Sequence, residues 1–445
     1  MTNKFRTESI SKLLLKQAVP ASIGILVMSL NMIVDTIFVG RWIGVIAIAA
    51  VTVVLPIAFL MSSVGMGIGV GGSSIISRAL GDSNKIKAIN VFGNQVTLTV
   101  SMSLIFVCIG TIFCIPLLTL FGANGQILEP AKEYFSVIIW GVPFLAFAMM
   151  GNPVIRAIGK PNFAMFTMIL PAIMNVVLDI ICIKVLNQGI YGAGLATSIS
   201  YITSGTFVLW FFFFKQSEFS ISKESLIVKI SLVKEIIALG GITIVRQGTV
   251  SILMIVLNYS LYTYGGEISV STYGIINRVT LFALFPILGV TQGFLPIVGF
   301  NYGANDTKRV KESIKIAIQY GSSIALLIFI GIMLFPNTLV ALFTTDEELI
   351  HKTQNALLIC LSATPIITIQ LIGSAYFQAA GKAMPALLLT LLKQGLILVP
   401  LVYIMPKFFG VLGIWVSFPI ADVIATAVTY VFLKKGLNKL PSSEP

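Results

Sequence analysis

The chain has 445 residues, 57% of them hydrophobic and only 10% charged, and a mean hydropathy of +0.98. No soluble core needs that composition, and the apolar residues fall in blocks of roughly 20–30, enough to cross ~30 Å of hydrocarbon. The net charge of +12 does not indicate nucleic acid, because the basic residues sit in short connections between apolar blocks, as the cytoplasmic bias of Lys and Arg requires; the partner it implies is the lipid bilayer.

Twelve spans are predicted, over residues 15–40, 46–77, 88–116, 131–155, 162–184 and 190–214, then 234–262, 268–300, 313–336, 352–377, 384–405 and 409–433. They group as an N-terminal six-helix lobe (1–214), a cytoplasmic interlobe loop (215–233) and a C-terminal six-helix lobe (234–445). The polar N-terminus has no small-residue cleavage site, so the first span is expected to act as its own insertion signal.

The first span carries the most informative residue. Asp35 lies well inside it, where an aspartate costs roughly 2.5–3.5 kcal/mol. Asn31 precedes it by four residues and Met28 by seven, so the three share one helix face. Pro20 removes a backbone hydrogen bond in the same span and provides a point of bending. The fifth span repeats the pattern with Asn175 and Asp179, and the sixth places Thr197 among small residues. Asp35, Asp179, Asn175 and Thr197 form a candidate cation site. Their oxygens suit Na⁺, and paired buried acids equally suit a shared H⁺. The alternative is two unrelated polar pairs, each satisfied locally. Methionines crowd the same region, including Met149, Met168 and Met174; flexible thioethers suit a pocket for varied apolar ligands and equally fill ordinary cores.

Between the sixth and seventh spans, the mixed apolar and basic run from Lys215 to Lys234 reads as an interfacial helix. In the second half, Lys393 and Asp422 are candidates for an ion pair, while Arg246 and Arg278 have no obvious acid. His351 is expected in a solvated loop. Cys108, Cys114, Cys182 and Cys360 lie in or near spans without a CxxC pair and read as packing residues. No Walker, HExxH or nucleophile–base pattern occurs, so neither an enzyme nor an ATP-driven pump is expected, and no cofactor beyond the coupling ion.

The two halves repeat. Gly44 and Gly266, Gly81 and Gly303, Pro143 and Pro365, and Gly159 and Gly381 are each separated by 222 residues. Six spans per copy is an even number, so both copies cross the membrane in the same sense, which is the arrangement of parallel repeats. Asp35 has no acid at its counterpart, Leu257-Asn258.

These residues resemble the multidrug and toxic compound extrusion (MATE) family, in its DinF-like and MepA-like bacterial branch. The resemblance covers nearly the whole chain and is carried by Pro20, Asn31, VDTIFVG (34–40), SRALGD (77–82), RAIGKP (156–161) and NVVLD (175–179). It implies an all-α membrane protein with twelve helices in two pseudo-symmetric lobes. It also implies export of amphipathic, cationic drugs by alternating access, in exchange for H⁺ or Na⁺, by a monomer in the bacterial inner membrane. It points to Asp35, Asn175, Asp179 and Thr197 as the cation site. The acids that another branch carries in the seventh and tenth spans are missing here, which favours H⁺. The alternative function is a lipid-linked oligosaccharide flippase of the same superfamily; twelve spans and an acidic first half argue against it.

Orientation follows from charge. Of the 29 Lys and Arg residues, 21 fall in segments placed inside, five (Arg41, Lys132, Lys184, Lys352, Lys407) outside, and three (Arg246, Arg278, Lys393) in spans. Both termini are therefore expected in the cytoplasm. A phosphatase reporter fused after Pro445 should be inactive and a cytoplasmic reporter active; the reverse result would invert the topology.

Overall fold

The computed structural model describes residues 3–215, 219 and 222–440, and these are almost wholly helical. Eleven helices among the described residues are long and apolar enough to cross a bilayer. The longest, Ile230–Gly303, is two spans joined at Gly266, whose φ of 63° is left-handed. The twelve spans are α1 (Ile10–Trp42), α2 (Val45–Gly81), α3 (Lys85–Ile112), α4 (Leu128–Ala157), α5 (Pro161–Asp179), α6 (Gly189–Trp210), α7 (230–265), α8 (267–303), α9 (Thr307–Leu334), α10 (Glu347–Ala379), α11 (Ala383–Ile404) and α12 (Pro406–Asn438). Wider π turns extend α5 through Ile180–Val185 and run through α11 at Leu392–Leu398. His351 lies on the exposed start of α10, not in a loop, because Asp346 caps that helix by accepting from the Leu349 amide.

The duplication is visible in the backbone. Left-handed φ angles recur at the repeat offset: Ser83 at 60° and Asn305 at 57°, Gly159 at 79° and Gly381 at 78°. The next residue after each of the first pair caps a helix, Asn84 accepting from the Lys87 amide and Asp306 from the Arg309 amide, both at 2.9 Å. The same turn chemistry thus starts α3 and α9.

The chain divides into two compact units. Residues 23–243 form one, and residues 3–22 with 244–445 form the other. Both breaks fall inside helices, after Ser22 in α1 and after Thr243 in α7.

In the first unit, α4 is the most buried span and packs chiefly against α2 and α6. Lipid gives helices no hydrophobic reason to associate, so close approach through small residues must supply the contact. A Cβ at Gly69 of α2 would lie 2.6 Å from the Met150 carbonyl oxygen of α4, and one at Gly141 of α4 would lie 2.8 Å from Ser198 Cα of α6. By contrast α1 is the least buried of all the spans.

The segment between the copies is not the expected interfacial helix. Residues 216–218 and 220–221 lie outside the described residues, and the described part holds one short turn, Lys223–Leu226, before α7. The reason is a clamp on α3. Asn94 Nδ2 donates to the carbonyls of Ser225 and Ile227 at 3.3 and 3.1 Å, and its Oδ1 accepts from the Lys229 amide at 2.8 Å. Thr97 donates to the Leu226 carbonyl at 2.9 Å. Backbone groups that a helix would pair internally are taken by these side chains.

In the second unit, Leu253, Leu257 and Leu261 of α7 meet Tyr273 and Ile276 of α8, Leu357 of α10, Val402 of α11 and Ile414 of α12 in one core. The N-terminal segment joins it through Arg309, which donates to the Phe5 and Glu8 carbonyls at 2.9 and 2.7 Å, and through a 2.6 Å Ser11–Tyr320 hydroxyl pair.

Two glycines separate packing from propensity. Gly69→Val should destabilise the protein by about 1–3 kcal/mol through overpacking against α4. Gly331→Ala, in α9 with nothing within 4 Å of its missing Cβ, should be neutral or stabilising by up to about 1 kcal/mol. Thermal unfolding of both variants in detergent checks this; equal losses would refute the packing account.

Candidate functional site

The polar residues of α1, α5 and α6 meet inside the first unit. In α1 and α5 the amide and the acid are each spaced by four residues, one helical turn, so the two helices present two rungs. On the first rung Asn31 Nδ2 donates to Asn175 Oδ1 at 3.0 Å. Asn175 Nδ2 then donates to Thr197 Oγ1 of α6 at 3.5 Å. On the second rung the carboxyl groups of Asp35 and Asp179 lie within hydrogen-bond reach of each other. Asp179 is fully buried, and neither of its oxygens accepts from an N–H or O–H of any other described residue.

Two tyrosines complete this cluster, and the sequence reading missed both. Tyr134 of α4, 2% exposed, lies near Thr197 and within electrostatic reach of both acids. Tyr201, one turn beyond Thr197 on α6, lies within reach of Asp35. The spacing of Thr197 and Tyr201 was the available signal; α4 carries no matching polar residue to draw attention to Tyr134.

The other expected residues are more dispersed. Met168 of α5 packs on α1, where a Cβ at Gly24 would lie 2.7 Å from its Sδ. Met28 is exposed on α1, and Met149 and Met174 are partly buried on α4 and α5. Pro20 is buried, and α1 runs helically through it. Beside it Ser22 donates back to the Ala18 carbonyl at 3.0 Å, a contact that also bends helices. In the second unit Lys393 and Asp422 are paired between α11 and α12. All four cysteines are unbridged, and no group of three or more His, Cys, Asp or Glu side chains suited to a metal occurs among the described residues.

Chemically, two carboxyl groups held this closely in a medium that solvates charge poorly cannot both be ionised unless a positive charge lies between them. The pair is suited to hold one cation.

The profile of the MatE family matches residues 20–181 and again 243–404, so both halves of the chain carry it. The chain is 26% identical over 436 residues to the multidrug export protein MepA of Staphylococcus haemolyticus, covering 98% of this chain and 96% of that protein. Among solved structures it resembles a MATE crystal structure in the bent conformation, with a TM-score of 0.93, 27% identity, and 99% and 98% of the two chains covered. It also resembles one in the straight conformation, with a TM-score of 0.92, 26% identity, and 98% of each chain covered. With its profile matched in both copies of the repeat and its fold shared over nearly the whole length, the chain belongs to the MatE family of membrane transporters.

Proposed function

We propose that the chain is a cation-coupled multidrug antiporter. It exports amphipathic organic cations from a bacterial cell by alternating access, working as a monomer in the plasma membrane with both termini in the cytoplasm. Its working halves are the two copies of the repeat, 1–214 and 234–445, joined by 215–233. The observation that carries the reading is the pairing of Asp35 with Asp179 on the least buried span.

A proton shared by the two carboxyls links α1 to α5 through the second rung, beside the amide bond of the first. Interhelical hydrogen bonds in membranes contribute about 0.6 to 2 kcal/mol each, so the two rungs together decide the position of a loosely packed helix. Loss of the proton leaves like charges side by side, and α1 separates from α5. The opened acidic space, with Tyr134, Tyr201 and Met168 on its helices, favours an organic cation, since aromatic faces add roughly 0.5–2 kcal/mol each. Reprotonation from outside closes the rungs again and expels the drug. Exchange is obligatory because proton and drug favour different positions of the same helix. Bent and straight forms occur in the related transporter, and Pro20 with Ser22 gives α1 its point of bending.

H⁺ is favoured over Na⁺. The acids that another branch of the family carries in the seventh and tenth spans are missing here, and one shared proton satisfies both carboxyls without further ligands.

In proteoliposomes with pH and Na⁺ gradients imposed separately, a pH gradient should drive ethidium transport. Asp35→Asn should reduce it at least about tenfold, a change of about 1.4 kcal/mol, while the protein still inserts and unfolds normally. Asp179→Asn should do the same or shift the pH dependence. Wild-type transport by the Asp35→Asn protein would overturn the assignment, and transport driven by Na⁺ alone would overturn the choice of ion.

A further inference from the structure

The second unit carries charges that the proton cycle leaves unused, and their placement is not random. At the repeat offset of 222 residues, Arg246 stands where the first copy has Gly24. Gly24 is the point at which α1 meets α5, against Met168. The corresponding helices of the second copy, α7 and α11, also meet at this level: a Cβ at Gly395 would lie 3.1 Å from Thr249 Cγ2. Both helices are odd-numbered spans and run in the same sense. Arg246 precedes Thr249 by three residues and Lys393 precedes Gly395 by two. The two cations therefore differ by about one residue's rise, ~1.5 Å, in depth.

Only one of them is balanced. Lys393 is paired with Asp422 of α12. Arg246 is exposed, and among the described residues it forms no hydrogen bond or ion pair. It cannot escape to the interface either. It lies 16 residues from the start of α7 and 19 from the end, close to the middle of a helix about 53 Å long, so it falls near the middle of a ~30 Å hydrocarbon core, beyond the reach of a snorkelling side chain. A guanidinium at that depth does not face acyl chains, so it faces a water-filled space. The net charge of Arg246, Lys393 and Asp422 is +1, opposite in sign to the acid pair of the first unit. A guanidinium is also the side chain best shaped to take a carboxylate in two hydrogen bonds.

We propose that Arg246 is an anion-recognition site within the second unit that takes the carboxylate of zwitterionic amphipathic substrates. This rests on the export reading above and names the residue that would hold a substrate's carboxylate.

The test uses two dyes that differ by one group, rhodamine B, which carries a free carboxylate, and its ethyl ester, which is a plain cation. Binding of each to the full-length protein in lipid nanodiscs is followed by fluorescence anisotropy at constant pH. The wild type should bind both. Arg246→Gln should weaken rhodamine B about tenfold or more and leave the ester unchanged, and Arg246→Lys should recover part of the loss. Retained ester binding shows that each variant is folded. Equal weakening of both dyes, no effect on either, or a selective loss on Arg278→Gln in place of Arg246→Gln would overturn the assignment. Wild-type protein that binds the ester but not rhodamine B would overturn it while leaving the cation-export reading intact; failure to bind either dye would count against both.

Discussion

Two carboxyl groups side by side in a bilayer demand one positive charge between them. That constraint organises the first half of this protein. Asp35 and Asp179 sit on parallel helices at matching turns, with Asn31 and Asn175 one turn away, so the helices meet at both rungs. The surrounding architecture supports such an arrangement. Helices α2, α4 and α6 pack through backbone-close glycine contacts that leave no room for a Cβ. Helix α1 has little packing of its own and depends on its polar partners. The first unit therefore combines close glycine packing among α2, α4 and α6 with polar pairing at α1.

Much of this was legible in the sequence. A charge inside an apolar run is conspicuous because its cost is large, which is why Asp35 and Asp179 stood out and why the i, i+4 amides could be joined to them. The duplication was legible too, since glycines in left-handed turns have few substitutes and keep their spacing when other residues drift. The matching φ angles at Gly159 and Gly381 are the physical cause of that textual repeat, and the two profile matches are offset by nearly the same interval. The link between the copies was misread because amphipathic patterning speaks to a helix in isolation, whereas Asn94, more than a hundred residues earlier, competes for its backbone groups.

Other features were invisible for a different reason. Tyr134 and Tyr201 are unremarkable in composition, and only helix packing turns them toward the acids. The break after Ser22 was equally hidden. A helix that continues through Pro20 gives no textual sign that its first turns belong with residues 244–445 and the rest with residues 23–243. That division is a property of tertiary contacts alone. Helices α1 and α7 each carry residues of both units.

The low burial of α1 has a consequence in the language of membranes. Its apolar stretch, residues 15–40, is about 39 Å long, against a hydrocarbon core of ~30 Å. A span of that length accommodates the mismatch by tilting or kinking, at fractions of a kcal/mol per Å. These energies are comparable to those of the hydrogen bonds that hold α1 to α5. Bilayer thickness therefore acts on the same helix as the proposed coupling, with Pro20 as a point where that helix can bend. A thin membrane assists the kinked form and a thick one the straight form, so the lipid surrounding this protein is an effector of its cycle as well as its solvent.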